Sequence, residues 1–304
     1  MSSPRLVFFG TRCFFADHVF DQLITHGYEI TARIVPGYRS APKPFQALDG
    51  RARSFGTSLP IVGNTVSDGM SRRPEPVPTM MVHDHHSSET IGMLASFNAD
   101  IAIVCCYPAR LPKRVIDCTR LGGLNIHPSP LPAYRGPEPL FWMYRDGVET
   151  GGVSIHRLTP DLDTGDLVAQ EPISIDIGKP GDELWRESAE LSARLLLDVL
   201  PELEGRLRTA TPQASRGASY QSWPTSDDLL IDPLEWDASH LFHFCRGVLP
   251  LGYAPSIRTP HGYREIVRVD GYVDSTSNDE SASQHEEALI TCRTGAVSAR
   301  LATG

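Results

Sequence analysis

The most restrictive feature of the sequence is a proline-rich stretch, residues 124–136, with three prolines within five positions. Proline fixes φ and lacks an amide donor, so most of this stretch can form neither a helix nor a central strand. The apolar run 101–106 before it, and its own first residues 124–126, have the character of short buried strands. Asn125 and His127 lie two positions apart, so on an extended backbone their side chains project to the same side. The sequence therefore predicts an amide and an imidazole that converge where a strand passes into a rigid loop.

A second chemically rich stretch, residues 161–166, lies between two strand-like segments, 153–156 and 167–170. It carries three aspartates around a Thr-Gly pair, and the central carboxylate belongs to Asp163. Taken alone, Asp163 fits an ordinary acidic surface turn. Taken together with the proline-rich stretch, it adds a carboxylate to the amide and the imidazole.

The two stretches spell the pattern Asn-x-His-Pro-Ser-x-Leu-Pro-x-Tyr-Arg-Gly, followed by Leu-Asp-Thr-Gly-Asp. In this order they resemble the folate-dependent formyltransferases. That group includes methionyl-tRNA formyltransferase, glycinamide ribonucleotide transformylase, and the amino-sugar and hydroxyornithine formyltransferases. The resemblance covers nearly the whole chain, from a first β-α-β unit at residues 5–33 to a small C-terminal domain at residues 229–304. Within the group, the chain is most similar to the domain that acts on UDP-4-amino-4-deoxy-L-arabinose.

The predicted fold class is α/β: a Rossmann-like, mostly parallel sheet followed by a small OB-like β-barrel. Strand-like and helical segments alternate over residues 6–35, which favours parallel strands with helices on the faces of the sheet. The resemblance implies a formyltransferase catalytic domain over residues 1–204 and an OB-like domain over residues 229–304. Residues 205–228, rich in Ser, Thr, Pro and Gly, are predicted to link them. Residues 45–55 are predicted to form a helix.

Charge and composition narrow the range of partners. The formal net charge is −9, and the chain from residue 205 onward holds nine arginines, no lysine and twelve acidic residues. Nucleic-acid binders cluster Lys and Arg against phosphates, so a nucleic-acid partner is not expected. No apolar run approaches the roughly 20 residues that a membrane span needs, so no membrane partner is expected.

The N-terminal residues and the cysteines favour a cytoplasmic protein. Residues 1–4 lead into a strand-like run without the basic and apolar segments of a secretory signal. The six cysteines form no Cys-x-x-Cys pair, which favours reduced thiols over disulfides. A homo-oligomer stays open.

The resemblance implies formyl transfer from N10-formyltetrahydrofolate to the amine of a small acceptor molecule. Acyl transfer passes through a tetrahedral carbon that bears an oxyanion, so it needs donors aimed at that oxygen and a base for the amine proton. The amine is the nucleophile, in agreement with the absence of a Gly-x-Ser-x-Gly motif. Asn125 is expected to donate to the formyl oxygen, and His127 to stabilise the oxyanion and deliver a proton to the leaving nitrogen. Asp163 is expected to orient His127 and to accept the amine proton.

Further contacts with the two substrates follow from the resemblance. Folate contacts are expected in three loops, at Arg110, Leu111 and Pro112, at Ser129, Pro130, Leu131 and Pro132, and at Thr159, Pro160, Asp161 and Leu162. Two of these residues depart from the family pattern. Pro130 replaces a leucine, and Asp161 stands where relatives often have Gly or Arg. Acceptor contacts are expected at Arg12, His83, Tyr134 and Arg135.

The histidines of the chain are not predicted to bind a metal. Three of them lie in the four-residue run that begins at His83, but they cannot easily converge on one ion from a regular element. No second ligand group follows at zinc spacing, so no metal is expected. His156 and His240 are predicted to be structural or solvated rather than functional.

The leading functional prediction is N-formylation of a nucleotide-linked amino sugar. Methionyl-tRNA formylation is the first alternative, although the acidic charge opposes it and the sequence has His-Pro-Ser where tRNA enzymes usually have His-Ala-Ser. Formylation of another amine such as hydroxyornithine, hydrolysis of formyltetrahydrofolate, and a catalytically silent binding module also stay open.

Overall fold

A computed structural model describes residues 3–37, 45–48, 77–273 and 288–302, and of residues 45–48 only the backbone. The described residues form an eight-stranded sheet and a five-stranded sheet. The strands of the larger sheet are β1 (Leu6–Gly10), β2 (Ile30–Pro36), β3 (Phe45–Leu48), β4 (Thr79–Val82), β5 (Ile101–Cys105), β6 (Gly123–His127), β7 (Thr150–Arg157) and β8 (Leu167–Ser174). The helices that accompany it are α1 (Phe14–Thr25), α2 (Ser88–Ser96), α3 (Lys113–Ile116), α4 (Pro139–Arg145), α5 (Gly181–Val199) and α6 (Leu203–Arg208).

The larger sheet has the strand order β3-β4-β2-β1-β5-β6-β7-β8. Its five central strands, β4, β2, β1, β5 and β6, are parallel, and the strands beyond them are antiparallel. This arrangement confirms the predicted α/β fold with a mostly parallel sheet. The strand order reverses at β1, which lies between β2 and β5. In such sheets, ligands bind beyond the carboxyl ends of the strands at this switch point.

Helices cover both faces of the larger sheet. β1 is buried along its whole length, as expected for a parallel strand that is covered on both faces. On one face, Phe15 and Phe20 of α1 share a core with Leu196 of α5. On the other face, Leu94 of α2 and Val115 of α3 share a second core with β1 and β5. The helical spacing of these apolar residues is what turns one stripe of each helix toward the sheet.

The predicted helix over residues 45–55 is wrong in its described part. Residues 45–48 form β3, which pairs antiparallel with β4. β4 presents unpaired backbone groups on its outer edge, and a short extended segment can satisfy them in a way that a helix cannot. The other residues of the predicted helix, 49–55, lie outside the described residues.

The smaller sheet belongs to the C-terminal part of the chain. Its strands are β9 (Leu230–Ile231), β10 (Ser256–Thr259), β11 (Gly262–Val273), β12 (Ala288–Thr291) and β13 (Ala296–Leu301), in the order β12-β13-β11-β10-β9. Helix α7 (Ala238–Val248) packs against this sheet, and Phe244 on α7 also contacts Phe141 on α4, with ring centroids 5.7 Å apart. The predicted small C-terminal sheet is therefore present, whereas its closure into an OB-like barrel stays a prediction. The predicted boundaries at residues 204 and 228 also stay predictions.

The segment predicted as a linker makes specific contacts with the larger sheet. Thr211 and Leu167 exchange two backbone hydrogen bonds of 2.8 and 2.9 Å. Tyr220 pairs with Arg135 in a parallel bridge. The segment therefore crosses the edge of the sheet where the proline-rich stretch lies. Within the described ranges, no helix is both long and apolar enough to cross a bilayer.

Candidate active site

β6 carries two of the three predicted catalytic side chains. The strand pairs in parallel with β5 and antiparallel with β7, so it ends the parallel part of the sheet. Asn125 and His127 project to the same side, as their spacing predicts. Both approach the Oδ1 atom of Asp163, at 3.1 Å from Asn125 Nδ2 and 3.9 Å from His127 Nδ1. The structure thus brings the amide, the imidazole and the carboxylate together.

The loop between β7 and β8 positions Asp163. Gln213 Nε2 donates to the backbone carbonyls of Asp163 and Gly165, each at 2.8 Å. Asp163 has a positive φ of 54°, a conformation that non-glycine residues adopt rarely. A Cβ atom on Gly165 would lie 1.8 Å from the carbonyl oxygen of Arg157. The glycine of the Thr-Gly pair is therefore required by the close approach of two backbones.

The Asp163 carboxylate joins the acidic loop to the proline-rich loop. Its Oδ2 atom accepts a 2.8 Å hydrogen bond from the backbone amide of Gly136. Gly136 has a φ of 96°, and an added Cβ would lie 2.1 Å from the carbonyl oxygen of Gln221. Only glycine can bring its amide to Asp163 at this position without displacing the segment that covers it.

The protonation of His127 follows from its hydrogen bond. Nε2 lies 2.8 Å from the carbonyl oxygen of Tyr134, which can only accept, so Nε2 carries a proton. Nδ1 is therefore the atom that gains or loses the second proton. At 3.9 Å from Asp163 Oδ1, Nδ1 is too far for a hydrogen bond but close enough for an ion pair when it is protonated.

Burial and charge act in opposite directions on this pair. Burial lowers the pKa of His127, although the Asp163 carboxylate favours its protonated form. Burial also opposes the charge of Asp163, yet His127, His156 and the Gly136 amide outweigh it and hold the pKa of that carboxyl well below its usual range. Asp163 therefore stays negatively charged, which is the state that supports a proton on His127.

His156 is a member of the site that the sequence prediction missed. It lies directly across from Asn125 in the β6–β7 pairing and is buried. Its Nε2 atom lies 3.1 Å from Asn125 Nδ2 and 3.5 Å from Asp163 Oδ1. Its place on β7, seven residues before Asp163, was visible in the sequence, but the cross-strand register that brings it to Asn125 was not. His240 does have structural contacts, because it stacks on Trp236.

The hydrogen bonds of His156 fix the orientation of the Asn125 amide. His156 Nδ1 donates to the carbonyl of Arg157 at 2.9 Å, so in the neutral ring Nε2 is an acceptor. Asn125 Nδ2 has two hydrogens and two acceptors, His156 Nε2 and Asp163 Oδ1. One of these bonds has to open before Nδ2 can donate to a substrate oxygen.

Hydrogen bonds and close packing from β7 and β8 fix the proline-rich loop in place. The buried Ser129 donates its hydroxyl to the carbonyl of Ala133 at 2.9 Å. Leu131 donates its amide to Ser154 Oγ at 3.2 Å and accepts from Gln170 Nε2 at 2.8 Å. A Cβ added to Gly152 would come within 3.2 Å of Pro130, and Pro132 accepts from the amide of Ser219 at 3.1 Å. The four predicted folate contacts of this loop therefore form a braced platform, in which Ser129 and Leu131 are buried.

The other two predicted folate loops both adjoin one buried apolar cluster, called the apolar wall below. Leu111 is buried, and Leu158 packs against the same cluster. Arg110 is exposed and Pro112 precedes α3. An apolar wall flanked by polar loops suits a flat ring that carries amide and amine groups, so these residues fit a folate.

The second of these loops is closed by its own polar groups. Thr159 Oγ1 donates to the carbonyl of Asp161 at 2.8 Å and lies 3.0 Å from Thr164 Oγ1. Pro160 and Asp161 are exposed, and Leu162 is partly buried. The loop therefore presents backbone and short side chains at the surface next to Asp163.

The four predicted acceptor contacts are spread over three places. Arg12 is exposed on the turn after β1, and His83 follows β4 and packs against Gly37. The hydroxyl of Tyr134 donates to Asp146 at 3.0 Å. Arg135 donates from Nε and Nη2 to Gln213 Oε1, at 3.0 and 2.6 Å. Arg135 thus supports Gln213, which in turn holds the Asp163 loop, and its contact with the acceptor stays a prediction.

The known proteins that resemble this chain point to one family. The family model described as Formyl transferase matches residues 6–200. The methionyl-tRNA formyltransferase of Thermotoga maritima is 31% identical over 229 residues, which are 75% of this chain and 67% of that protein.

Solved structures of related fold include two with folate compounds bound. HypX from Aquifex aeolicus, in complex with tetrahydrofolic acid, has a TM-score of 0.63 at 16% identity and covers 98% of this chain. The match spans 44% of the HypX chain, so this protein corresponds to less than half of it. The N-formyltransferase from Helicobacter canadensis, in complex with folinic acid and dTDP-3-aminofucose, has a TM-score of 0.64 at 12% identity, over 99% of this chain and 100% of that one. In the described parts of the present chain, no group of three or more His, Cys, Asp or Glu side chains is placed to hold a metal ion.

Proposed function

Because the chain belongs to the formyl transferase family, and so is a folate-dependent formyl-transfer enzyme, we propose that its acceptor is the amine of a small molecule, a nucleotide-linked amino sugar. The observation that carries the chemistry is the meeting of Asn125, His127 and Asp163 at the carboxyl end of β6. An amide donor, an imidazole and a fixed negative charge are the groups that acyl transfer to an amine requires.

N10-formyltetrahydrofolate supplies the formyl group when it is bound. The residues that would hold it are those of the braced platform and the two loops beside the apolar wall: Arg110, Leu111, Pro112, Ser129, Pro130, Leu131, Pro132, Thr159, Pro160, Asp161 and Leu162. Pro130 has no amide donor, so any polar contact at that position has to come from its carbonyl.

Three side chains of the chain carry out the other steps of the transfer. Asn125 donates one Nδ2 hydrogen to the formyl oxygen after it leaves His156 or Asp163. His127 holds one proton on Nε2 against Tyr134 and exchanges the other at Nδ1, the atom on the side of Asp163. Asp163 keeps its charge and stabilises the protonated imidazole.

The charge of the chain supports a small acceptor. The formal net charge is −9, and the part from residue 205 onward carries nine arginines against twelve acids. A tRNA-binding surface would neutralise phosphates with clustered basic residues. An amino sugar linked to a nucleotide needs only one or two such residues, and Arg12 at the switch point is a candidate for its phosphate.

Methionyl-tRNA formylation is the second candidate, because the relative from Thermotoga maritima carries that name and shares 31% identity. The two are separated by incubating the protein with N10-formyltetrahydrofolate and, in parallel, UDP-4-amino-4-deoxy-L-arabinose, other nucleotide-linked amino sugars, hydroxyornithine and methionyl-tRNA. Products are read by the mass gain of one added CO. His127→Ala serves as the inactive control.

Each outcome of this screen decides between the candidates. Conversion of an amino sugar nucleotide supports the proposal, and conversion of methionyl-tRNA alone replaces it with the second candidate. Release of formate without any amine would identify a hydrolase. No thermal stabilisation by 5-formyltetrahydrofolate, together with no product, would leave only a silent protein of this family.

A further inference from the structure

A carboxylate outside the predicted catalytic group lies beside it. Glu138 follows Gly136, the residue whose amide holds Asp163, by two positions. It has a positive φ of 56°. Five described non-glycine residues have positive φ, and four of them, Cys106, Tyr134, Glu138 and Asp163, border this site. Backbone strain of this kind persists where the surrounding structure enforces it, often at functional positions.

Glu138 reaches the switch point of the sheet. Its carboxylate lies within electrostatic range of the Cys106 thiol, at the carboxyl end of β5. The carbonyl of Cys106 accepts a 3.2 Å hydrogen bond from the amide of Thr11, which follows β1. β1 and β5 are the neighbouring strands at which the strand order reverses. Glu138 therefore lies near the switch point, the place at which a sheet of this type binds its substrate.

Tyr253 places a second polar group against Glu138. Its side chain is only 6% exposed, and its ring packs on Phe141, with centroids 4.6 Å apart. Its buried hydroxyl is close enough to the Glu138 carboxylate for the two groups to interact, but no described residue meets the geometry of a hydrogen bond with it. A buried hydroxyl without a partner is costly, and a ligand group placed between these two side chains would satisfy it.

The carboxyl groups of Glu138 and Asp163 differ in pKa. Burial raises the pKa of Glu138 to about 7, and Tyr253 opposes this rise. Asp163, whose pKa lies well below its usual range, is a weak proton acceptor. Efficient proton acceptors have a pKa near the working pH, which Glu138 satisfies and Asp163 does not.

We propose that Glu138 and Tyr253 form the subsite for the acceptor amine, in which the Glu138 carboxylate binds the ammonium group and takes up its proton. The proposal rests on the proposed formylation of an amine. In the step, one N–H bond of the ammonium breaks and one O–H bond forms on Glu138. The electron pair stays on nitrogen, which is then neutral and able to form the new C–N bond. Asp163 keeps the role of supporting His127.

The first test uses the full chain and the acceptor that the screen converts fastest. Glu138→Gln keeps the size of the side chain and removes its charge. We expect kcat/KM for the amine to fall roughly 10²-fold at neutral pH, with an unchanged KM for the formyl donor. The loss should shrink as the pH approaches the pKa of the acceptor ammonium, because solvent then removes the proton. Glu149→Gln, at an exposed glutamate, is the matched control.

Tyr253→Phe and Glu138→Asp extend this test. Tyr253 favours the charged form of Glu138, so Tyr253→Phe should move the acid limb of the kcat/KM profile to higher pH. Glu138→Asp, which keeps the carboxylate, should recover part of the activity that Glu138→Gln loses. A Glu138→Gln profile that runs parallel to the wild type at every pH, or a Glu138→Asp activity no better than that of Glu138→Gln, would overturn the proposal.

A second measurement needs no acceptor and separates the two proposals. Infrared difference spectra of wild type minus Glu138→Gln isolate the Glu138 carboxylate, with methylammonium chloride as the probe. We expect methylammonium to shift this band and tetramethylammonium, which has no N–H donor, to leave it unchanged; equal spectra with both salts would refute the subsite. If the band shifts but the screen yields no formylated amine, the proposed acceptor class is wrong while the cation subsite stands.

Discussion

The backbone amide of Gly136 and the carboxylate of Asp163 are joined by a 2.8 Å hydrogen bond across 27 positions of sequence. This bond connects the proline-rich loop after β6 to the acidic loop before β8. It also places the negative charge of Asp163 beside Asn125 and His127, so the geometry of the site depends on both loops keeping their positions.

Removal of either donor on β6 should nearly abolish turnover. We expect Asn125→Ala and His127→Ala each to lower kcat by roughly 10²–10³, because the formyl oxygen loses a positioned donor. Folding should be retained, which circular dichroism and a melting curve with 5-formyltetrahydrofolate would verify. Near wild-type kcat in either variant would remove that residue from the mechanism.

Asp163→Asn should change how the stability of the folded protein depends on pH. Its pKa in the folded protein is lowered by His127, His156 and the Gly136 amide in spite of burial, so the carboxylate stabilises the fold above its unfolded pKa of about 3.9. That contribution is lost as the pH falls through the lowered folded pKa. Urea unfolding of wild type and Asp163→Asn should therefore differ most near neutral pH and converge in strong acid. A difference that is independent of pH would contradict the charged state assigned to Asp163.

His156 should act by positioning Asn125. We expect His156→Phe to lower kcat about 10-fold, with little change in KM, because one acceptor of the Asn125 amide is lost. His156→Gln keeps a polar acceptor near Asn125 and should recover part of the activity. Steady-state kinetics and melting curves of the two variants test this role. If His156 were purely structural, the loss of kcat in each variant would instead follow its drop in melting temperature.

Gln213 should matter although it lies in the segment predicted as a linker. Gln213→Ala removes both hydrogen bonds that hold the carbonyls of Asp163 and Gly165. We expect kcat to fall about 30-fold, since each of the two lost hydrogen bonds is worth about 1 kcal/mol of positioning and about 1.4 kcal/mol is tenfold in rate. Ser215→Ala, at an exposed position of the same segment, is the control. Equal kcat values for the two variants would show that the Asp163 loop holds its shape without Gln213.

Asp17 should be required for stability through the buried Arg33. Arg33 is 2% exposed, forms an ion pair with Asp17 and donates to the carbonyl of Thr11 at 2.8 Å. Asp17→Ala leaves a buried guanidinium without its carboxylate, so we expect a loss of about 3–5 kcal/mol in the free energy of unfolding. Asp21→Ala on the exposed side of the same helix should cost far less. Denaturant unfolding of both variants measures the difference.

The parallel sheet and the site on β6 were predictable from local pattern. An extended backbone alternates its side chains, so the spacing of Asn125 and His127 was enough to place them on one side of a strand. At residues 45–48, by contrast, the local sequence pattern predicted the wrong secondary structure. They form an edge strand rather than a helix because β4 offers unpaired backbone groups, and that edge exists only in the folded sheet.

The residue types of the candidate site follow from the local sequence: one amide, one imidazole and one carboxylate at motif positions, joined by loops whose prolines and glycines permit few backbone conformations. The neighbours of these three groups, in contrast, depend on how the whole chain folds. His156 came to Asn125 through the register of two antiparallel strands, and Gln213 through the path of a segment 50 residues beyond Asp163. Tyr253 came to Glu138 through the packing of the C-terminal part of the chain against α4. Such contacts join residues far apart in sequence, and they arise from burial and strand pairing, which no local pattern records.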